Sequence, residues 1–305
     1  MHASPRHLVR GLSVVAAAAL LAACASAPSH APIVQTAGCL SDAQVATWMA
    51  DYNARKPAMN PPESMTMADA ACTRAKLQQR LAAQDGPLVG YKAGLTNPAV
   101  QKKFNTDQPV WGALYSTMLL NSGATVDAAF GARPLYEADL LVRVKDVAIN
   151  AARTPAEVLR HVDQIVPFIE LPDLMVQAPP KLNGVGVSAI NVGARLGVRG
   201  PALPVPQDAA GQARLLTELR DMNVSLTDAH GAKLGGGKGS DVLEHPLNAV
   251  VWLAGALKAQ GLAMQPGQLI SLGSFSALLP PKPGLQATVH YGGVPGLQPV
   301  TVTFR

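Results

Sequence analysis

Cysteine, aromatic residues and charged residues are all scarce in this chain of 305 residues. With three cysteines in total, a metal site built from several thiolates is not expected. Charged residues make up 15% of the chain, the net charge is +5, and Lys and Arg form no dense run, so the sequence predicts no nucleic-acid partner. Because 48% of the residues are hydrophobic, disorder is excluded as well. The 27 Gly and 25 Pro predict many turns and argue against a helical bundle.

The N-terminus has the pattern of an export signal. Residues 1–10 contain two Arg and no acid, and an apolar run, GLSVVAAAALLAA, occupies residues 11–23. As a helix this run would reach about 20 Å, which is too short for a bilayer core of roughly 30 Å. We therefore predict a signal peptide over residues 1–23.

The end of the signal resembles a bacterial lipobox, because residues 21–24 read LAAC. This resemblance implies a lipid on Cys24, a membrane anchor, and an outer-membrane lipoprotein that faces the periplasm. Residues 24–38 are small, polar and Pro-bearing, and they predict a flexible tether. The alternative is an ordinary signal peptide that happens to end beside a cysteine.

Two cysteines remain, Cys39 and Cys72. An even pair in an oxidising compartment favours a disulfide. Two buried free thiols are the alternative that the sequence leaves open.

The rest of the chain predicts an α+β fold, with helices at the front and mostly strands behind. Residues 39–86 predict an N-terminal helical region, with capping-box patterns that open helices at Ser41 and Thr66. Residues 87–305 are expected to form a second, larger region that contains most of the strands. Further helices are expected over 154–165 and 245–260, a hairpin turn over 228–231, and strands over 88–93, 140–147, 167–171, 185–196, 269–272, 286–291 and 300–304.

Three carboxylates are candidates for chemistry. Glu137 and Asp139 are two residues apart, so on a strand both would point to the same face. Glu170 ends another apolar run. Three oxygen ligands completed by water would suit Mg²⁺ or Mn²⁺. Taken alone, the pattern also fits acids at the solvated end of a strand.

Several segments carry a family resemblance. They are residues 90–96 (GYKAGLT), 107–112 (DQPVWG), 134–144, 167–170 and 237–254. Together they resemble the 2-keto-4-pentenoate hydratase and 4-oxalocrotonate decarboxylase group of the fumarylacetoacetate hydrolase superfamily, in order over about residues 40–305. The resemblance implies a mixed β-sandwich or roll with flanking helices.

The resemblance also implies a site. Mg²⁺ or Mn²⁺ would be held by Glu137, Asp139 and Glu170, and would stabilise the enolate of a small-molecule 2-oxoacid or 2-hydroxydienoate. Lys92 would be the catalytic lysine. The implied activity is that of a hydro-lyase, which adds water across a conjugated double bond. Leu95 and Ser274 are expected substrate contacts because they lie in loops of this group, and assembly into homo-oligomers is left open.

Some positions depart from the group's pattern. Asp139 stands where Glu is usual, Val110 where an acid often follows Gln-Pro, and Val187 lies in a stretch that often carries an acid and an amide. These departures leave two alternatives to the hydratase. One is a lipid-anchored binding protein whose catalysis is altered or lost, and the other is a decarboxylase or C–C hydrolase of the same superfamily.

Overall fold

The computed structural model describes residues 1–2 and 31–305. The predicted lipidation site at Cys24 and nearly all of the predicted signal peptide lie outside the described residues. Within the described part of the chain, no helix has both the length and the apolar character needed to cross a membrane.

Helices begin after both of the predicted capping boxes. Ser41 and Thr66 each cap a helix, and in both cases the side chain three residues later bonds back to the backbone of the cap, which completes the capping box. The α-helices are α1 Asp42–Ala54, α2 Met67–Asp85, α3 Pro98–Lys103, α4 Pro155–Arg160, α5 Gly184–Ala189, α6 Ala209–Asp221 and α7 Asn248–Lys258.

The strands form two mixed sheets, as the predicted α+β class requires. They are β1 Leu88–Gly94, β2 Val110–Tyr115, β3 Leu119–Asn121, β4 Ala124–Val126, β5 Glu137–Val144, β6 Val162–Leu171, β7 Leu196–Arg199, β8 Leu203–Pro204, β9 Asn223–Asp228, β10 Lys233–Lys238, β11 Leu269–Ser271, β12 Gln286–Gly292 and β13 Val300–Phe304. The larger sheet has the order β2-β1-β11-β5-β6-β7-β3, with β8 beside β6. The smaller sheet has the order β10-β9-β12-β13-β4.

One hydrophobic core unites the helices with both sheets. It contains Trp48 of α1, Leu77 of α2, Leu140 of β5 and Val302 of β13, all buried. Along β5, alternate side chains such as Leu140 enter this core, so the residues between them point to the opposite face of the sheet. That opposite face is where the candidate site lies.

Two predicted elements are wrong in part. The strand expected over 185–196 is instead α5 followed by a 3₁₀ turn, because the side chain of Asn183 caps the helix by accepting a hydrogen bond from the Gly186 N–H. The helix expected to continue to residue 165 ends at Arg160. A long apolar run then forms β6, which pairs with β5 and is buried along most of its length.

A disulfide joins Cys39, just before α1, to Cys72 in α2. The neighbouring backbone is also held, since the Leu40 N–H donates to Thr73 Oγ1 at 3.1 Å and Lys76 Nζ donates to the Leu40 carbonyl at 3.0 Å. The segment before α1 is therefore fixed to the face of α2.

Candidate active site

Strand register brings the predicted functional residues to one face of the larger sheet. Lys92 of β1 lies opposite Ser271 of β11, and Glu137 of β5 lies opposite Glu170 of β6. Asp139 is two residues from Glu137 and therefore shares its face. Five side chains from four adjacent strands, β1, β11, β5 and β6, are thus brought to the same face.

Lys92 and Glu170 form a buried ion pair. Each is about 2% exposed, so neither charge is balanced by bulk water. Lys92 Nζ also donates to the Val192 carbonyl at 2.9 Å. These two contacts fix the ammonium group at one end of the site.

Glu137 is buried beside the same pair. Burial is the largest cause that raises the pKa of the Glu137 carboxyl well above its usual range, and the negative charge of Glu170 adds to the shift. The two glutamates are direct partners in the register of β5 and β6. They therefore form an acid pair with Lys92 as a neighbouring cation.

Asp139 is placed differently from the two glutamates. Its Oδ2 accepts a hydrogen bond from Ser271 Oγ at 2.5 Å, and its Oδ1 accepts from the N–H groups of Leu140 at 2.5 Å and Gly273 at 3.1 Å. Burial, followed by the charge of Glu170, raises the pKa of Asp139 to about 7. The side chain is fully buried and is absent from the walls of the cavity described next.

A cavity of about 270 Å³ opens over this face. Lys92, Glu137 and Glu170, which we call the carboxylate end, line one part of it, and the predicted contacts Leu95 and Ser274 line it as well. The structure thus brings five of the predicted site residues to one cavity and leaves Asp139 behind its wall. Within residues 1–2 and 31–305, no three or more His, Cys, Asp or Glu side chains are arranged to hold a metal ion.

Sequence reasoning missed Thr96, which also lines the cavity. Its side chain is 2% exposed, and its hydroxyl belongs to the few buried polar groups in the described chain that have no hydrogen-bond partner. Gly273 packs against it with a φ of 98°, a backbone conformation that glycine adopts without strain. A Cβ at Gly273 would overlap the Thr96 hydroxyl. The positive φ and this close approach therefore both require glycine at position 273.

A left-handed segment holds the backbone partner of Lys92. Asn191, Val192 and Gly193 have φ values of 54°, 54° and 63°, and this conformation is costly for a β-branched residue such as Val192. The Asn191 side chain bonds both backbone groups of Ala113, at 2.8 and 3.0 Å, and accepts a hydrogen bond from Gln78 Nε2 at 2.8 Å. Asn followed closely by Gly is a sequence signal for such a turn.

Tyr291 of the smaller sheet joins the strands that carry the acids. Its hydroxyl donates to the Asp139 carbonyl at 2.5 Å and accepts from the Phe168 N–H at 2.9 Å. Burial raises the pKa of the Tyr291 hydroxyl far above its usual range, so it stays protonated and available as a donor. The backbone of β5 and β6 is therefore held from the second sheet.

The two valine departures have different environments. Val187 lines the cavity, whereas Val110 is buried in β2 and does not line it. Of the two, Val187 therefore bears on what the cavity can bind.

Comparison with known proteins gives relatives at modest identity, and no family model matches the chain. The chain is 29% identical over 235 residues to a 2-keto-4-pentenoate hydratase of Paraburkholderia xenovorans, covering 75% of this chain and 82% of that protein. It is 27% identical over 235 residues to a 4-oxalocrotonate decarboxylase of Pseudomonas putida, covering 77% and 85%. A 2-oxo-hept-4-ene-1,7-dioate hydratase of Escherichia coli is 27% identical over 248 residues, covering 79% and 88%.

Solved structures agree with this fold. A 4-oxalocrotonate decarboxylase from Pseudomonas putida G7, complexed with magnesium and adipate, superposes with a TM-score of 0.75 at 25% identity, covering 87% of this chain and 99% of that one. A fumarylpyruvate hydrolase from Pseudomonas aeruginosa, with Mn²⁺ and pyruvate, has a TM-score of 0.52 at 15% identity, covering 72% of this chain and 91% of that one, and shows the fold alone. The relatives and structure neighbours together support the resemblance to the hydratase and decarboxylase group of the fumarylacetoacetate hydrolase superfamily.

Proposed function

We propose that this protein is a hydro-lyase of the fumarylacetoacetate hydrolase superfamily that uses Mg²⁺ or Mn²⁺ to hydrate a 2-hydroxydienoate or related 2-oxoacid. The observation that carries the proposal is the carboxylate end of the cavity, where a buried lysine faces two buried glutamates. The names of the hydratase relatives, which match over about three quarters of the chain, support the reaction class.

The donor set at this end fits a divalent cation. Glu137 and Glu170 both line the cavity, and their mutual repulsion in a buried site is the kind that a cation relieves. Carboxylate oxygens completed by water are the usual ligands of Mg²⁺ and Mn²⁺. When bound, such an ion would supply Lewis-acid polarisation of the substrate's 2-oxo group. The magnesium-bound decarboxylase structure supports this assignment.

Asp139 has a different task in this proposal. Because its carboxylate already accepts three hydrogen bonds, it holds Ser271 and the Gly273 backbone in place behind the glutamates. Direct ligation by Asp139 stays a prediction of the sequence, and the geometry favours the two glutamates as ligands.

The chain's own donors would bind and orient the substrate. Lys92 presents a positive donor at the carboxylate end and is positioned to hold the substrate's carboxylate or assist proton transfer. Thr96 also lines the cavity, and because its hydroxyl lacks a partner in the described chain, we propose it as a second donor to the substrate. Both groups are buried, so their hydrogen bonds to a substrate would form with little competition from water.

The test is hydration of 2-hydroxypenta-2,4-dienoate by the purified chain with Mg²⁺ or Mn²⁺, followed as loss of the dienol's ultraviolet absorbance. Glu137→Gln and Lys92→Met are expected to lower kcat/KM by at least about 100-fold. The matched control is Glu63→Gln, an exposed glutamate outside the cavity. Loss of absorbance no faster than the spontaneous rate, across several such dienols, would refute the hydratase.

Decarboxylation is the second candidate because a 4-oxalocrotonate decarboxylase gives a TM-score of 0.75. Release of carbon dioxide from 4-oxalocrotonate, without hydration of the dienol, would select it. An altered binding protein is the remaining alternative. It would be favoured by metal binding in calorimetry that Glu137→Ala leaves unchanged and by the absence of turnover.

We also propose that the chain is an exported lipoprotein anchored to the outer membrane through Cys24. The support is the signal pattern of residues 1–23 together with the Cys39–Cys72 disulfide, which suits an oxidising compartment. Growth with labelled palmitate should label the wild-type protein and leave Cys24→Ala unlabelled. Equal labelling of both proteins would overturn the assignment.

A further inference from the structure

Apart from the carboxylate end, the cavity has an apolar part of its lining that carries no charge. We call it the apolar wall, and it consists of Leu95, Val100, Phe104, Leu174, Val187 and Leu278. Phe104 and Val187 are buried, and the others are partly buried. A charged group pressed against such a wall would lose hydration and gain no donor in return.

One further charge lines the cavity besides the carboxylate end, and it is Lys103. It is the last residue of α3 and is exposed to solvent. An exposed ammonium group is hydrated and flexible, so its attraction for a carboxylate is weak. The described cavity therefore has one buried cation, Lys92, and no second buried cation that could pair with another substrate carboxylate.

We infer that this site selects 2-oxoacids with a single carboxylate and an uncharged apolar tail, and discriminates against dicarboxylates. The inference rests on the proposed function, because it assumes that the substrate's 2-oxoacid group lies at the carboxylate end. Identity to relatives does not decide the matter, since their names include both a pentenoate and a 1,7-dioate. The apolar wall favours an uncharged tail, because these six side chains form much of the lining outside the carboxylate end.

Two unreactive ligands test the selectivity directly. Hexanoate and adipate have the same six-carbon chain and differ in one terminal group, which is a methyl in the first and a carboxylate in the second. Calorimetry with the magnesium-loaded full chain is expected to show hexanoate binding at least about tenfold more tightly than adipate. Turnover of 2-hydroxypenta-2,4-dienoate is measured on the same preparation.

Variants of residues that line the cavity test which side chains cause the preference for hexanoate over adipate. Leu278→Arg places a cation on the apolar wall at a partly buried position, and is expected to reverse the preference or reduce it to near unity. Leu278→Met is the matched control and should keep the wild-type preference. Lys103→Met should leave the ratio of the two affinities unchanged, because the exposed lysine attracts a carboxylate only weakly.

The outcomes separate the two proposals. Adipate binding as tightly as hexanoate, with dienol turnover intact, overturns the selectivity and leaves the hydratase standing. A large loss of adipate binding in Lys103→Met would also overturn it, by showing that Lys103 receives a second carboxylate. No turnover and no binding of either ligand would refute the proposed function and this inference with it.

Discussion

Removing the Cys39–Cys72 disulfide should destabilise the protein through its unfolded state. The bond closes a loop with a sequence separation of 33 residues. The loop-entropy relation, ΔS ≈ −2.1 − 1.5R ln n, then gives about 12.5 cal/mol/K, or about 3.7 kcal/mol at 25 °C. For a chain of this size, with an unfolding entropy of about 2.1 cal/mol/K per residue, that loss corresponds to a fall in Tm of about 6 °C. The perturbation is the double replacement of both cysteines by alanine.

The assay compares chemical denaturation with activity. The free energy of unfolding should fall by about 3–4 kcal/mol, while kcat well below Tm stays unchanged, because α2 remains packed on the core. Reduction of the wild-type protein by dithiothreitol should reproduce the shift, and the reductant should have no effect on the double variant. A stability loss below about 1 kcal/mol would refute the unfolded-state argument. A loss of kcat at low temperature would instead show that the bond shapes the native site.

Three other perturbations probe the site. Gln78→Leu removes the hydrogen-bond donor to Asn191 and should lower kcat several-fold, with KM little changed and the pH profile displaced. The control is Gln79→Leu, at an exposed neighbour on the same helix, and it should behave as wild type. Equal kinetics for both variants would show that Gln78 does not help to position Lys92. Lys92→Met leaves the buried Glu170 carboxylate without its ion-pair partner and should cost about 3–5 kcal/mol in urea denaturation at neutral pH. A cost below about 1 kcal/mol would contradict the argument from an unpaired buried charge. Because burial raises the pKa of Asp139 to about 7, the folded state binds more protons than the unfolded state between about pH 4 and pH 7. The free energy of unfolding of the metal-free protein should therefore fall as pH rises through this window, and Asp139→Asn should make it depend less on pH. A free energy of unfolding that rises with pH in denaturation curves would contradict the burial argument.

Local sequence signals predicted the elements that local interactions decide. The helices beginning after Ser41 and Thr66 were predictable because each carries its own capping box. The pairing of Glu137 and Asp139 on one face was predictable because strand periodicity is fixed. The resemblance supplied Lys92, and its contact with Glu170 depends on the order of four strands and could not be read from spacing.

Other parts of the site depend on tertiary contacts that the sequence does not display. The residues from 185 to 196 have the composition of a buried strand, yet the cap at Asn183 and the left-handed turn at Asn191 make them a helix and a turn. The position of Asp139 behind the cavity wall follows from its hydrogen bond to Ser271, which is 132 residues away. The helix α6 was missed, although Asp208 caps it with the expected side-chain bond.

The hydroxyl of Tyr291 has a consequence for how far the chain can be shortened. It lies in β12, next to last among the strands, and it connects the backbones of β5 and β6 where they pass beneath the carboxylate end. A truncated chain that ends before residue 286 would retain every side chain assigned to chemistry. It would still lose the Tyr291 hydrogen bonds that hold β5 and β6, the strands that carry the acids. The smallest unit capable of the reaction therefore extends into the C-terminal sheet, and gene fragments that encode the lysine and the acids alone are not expected to be active.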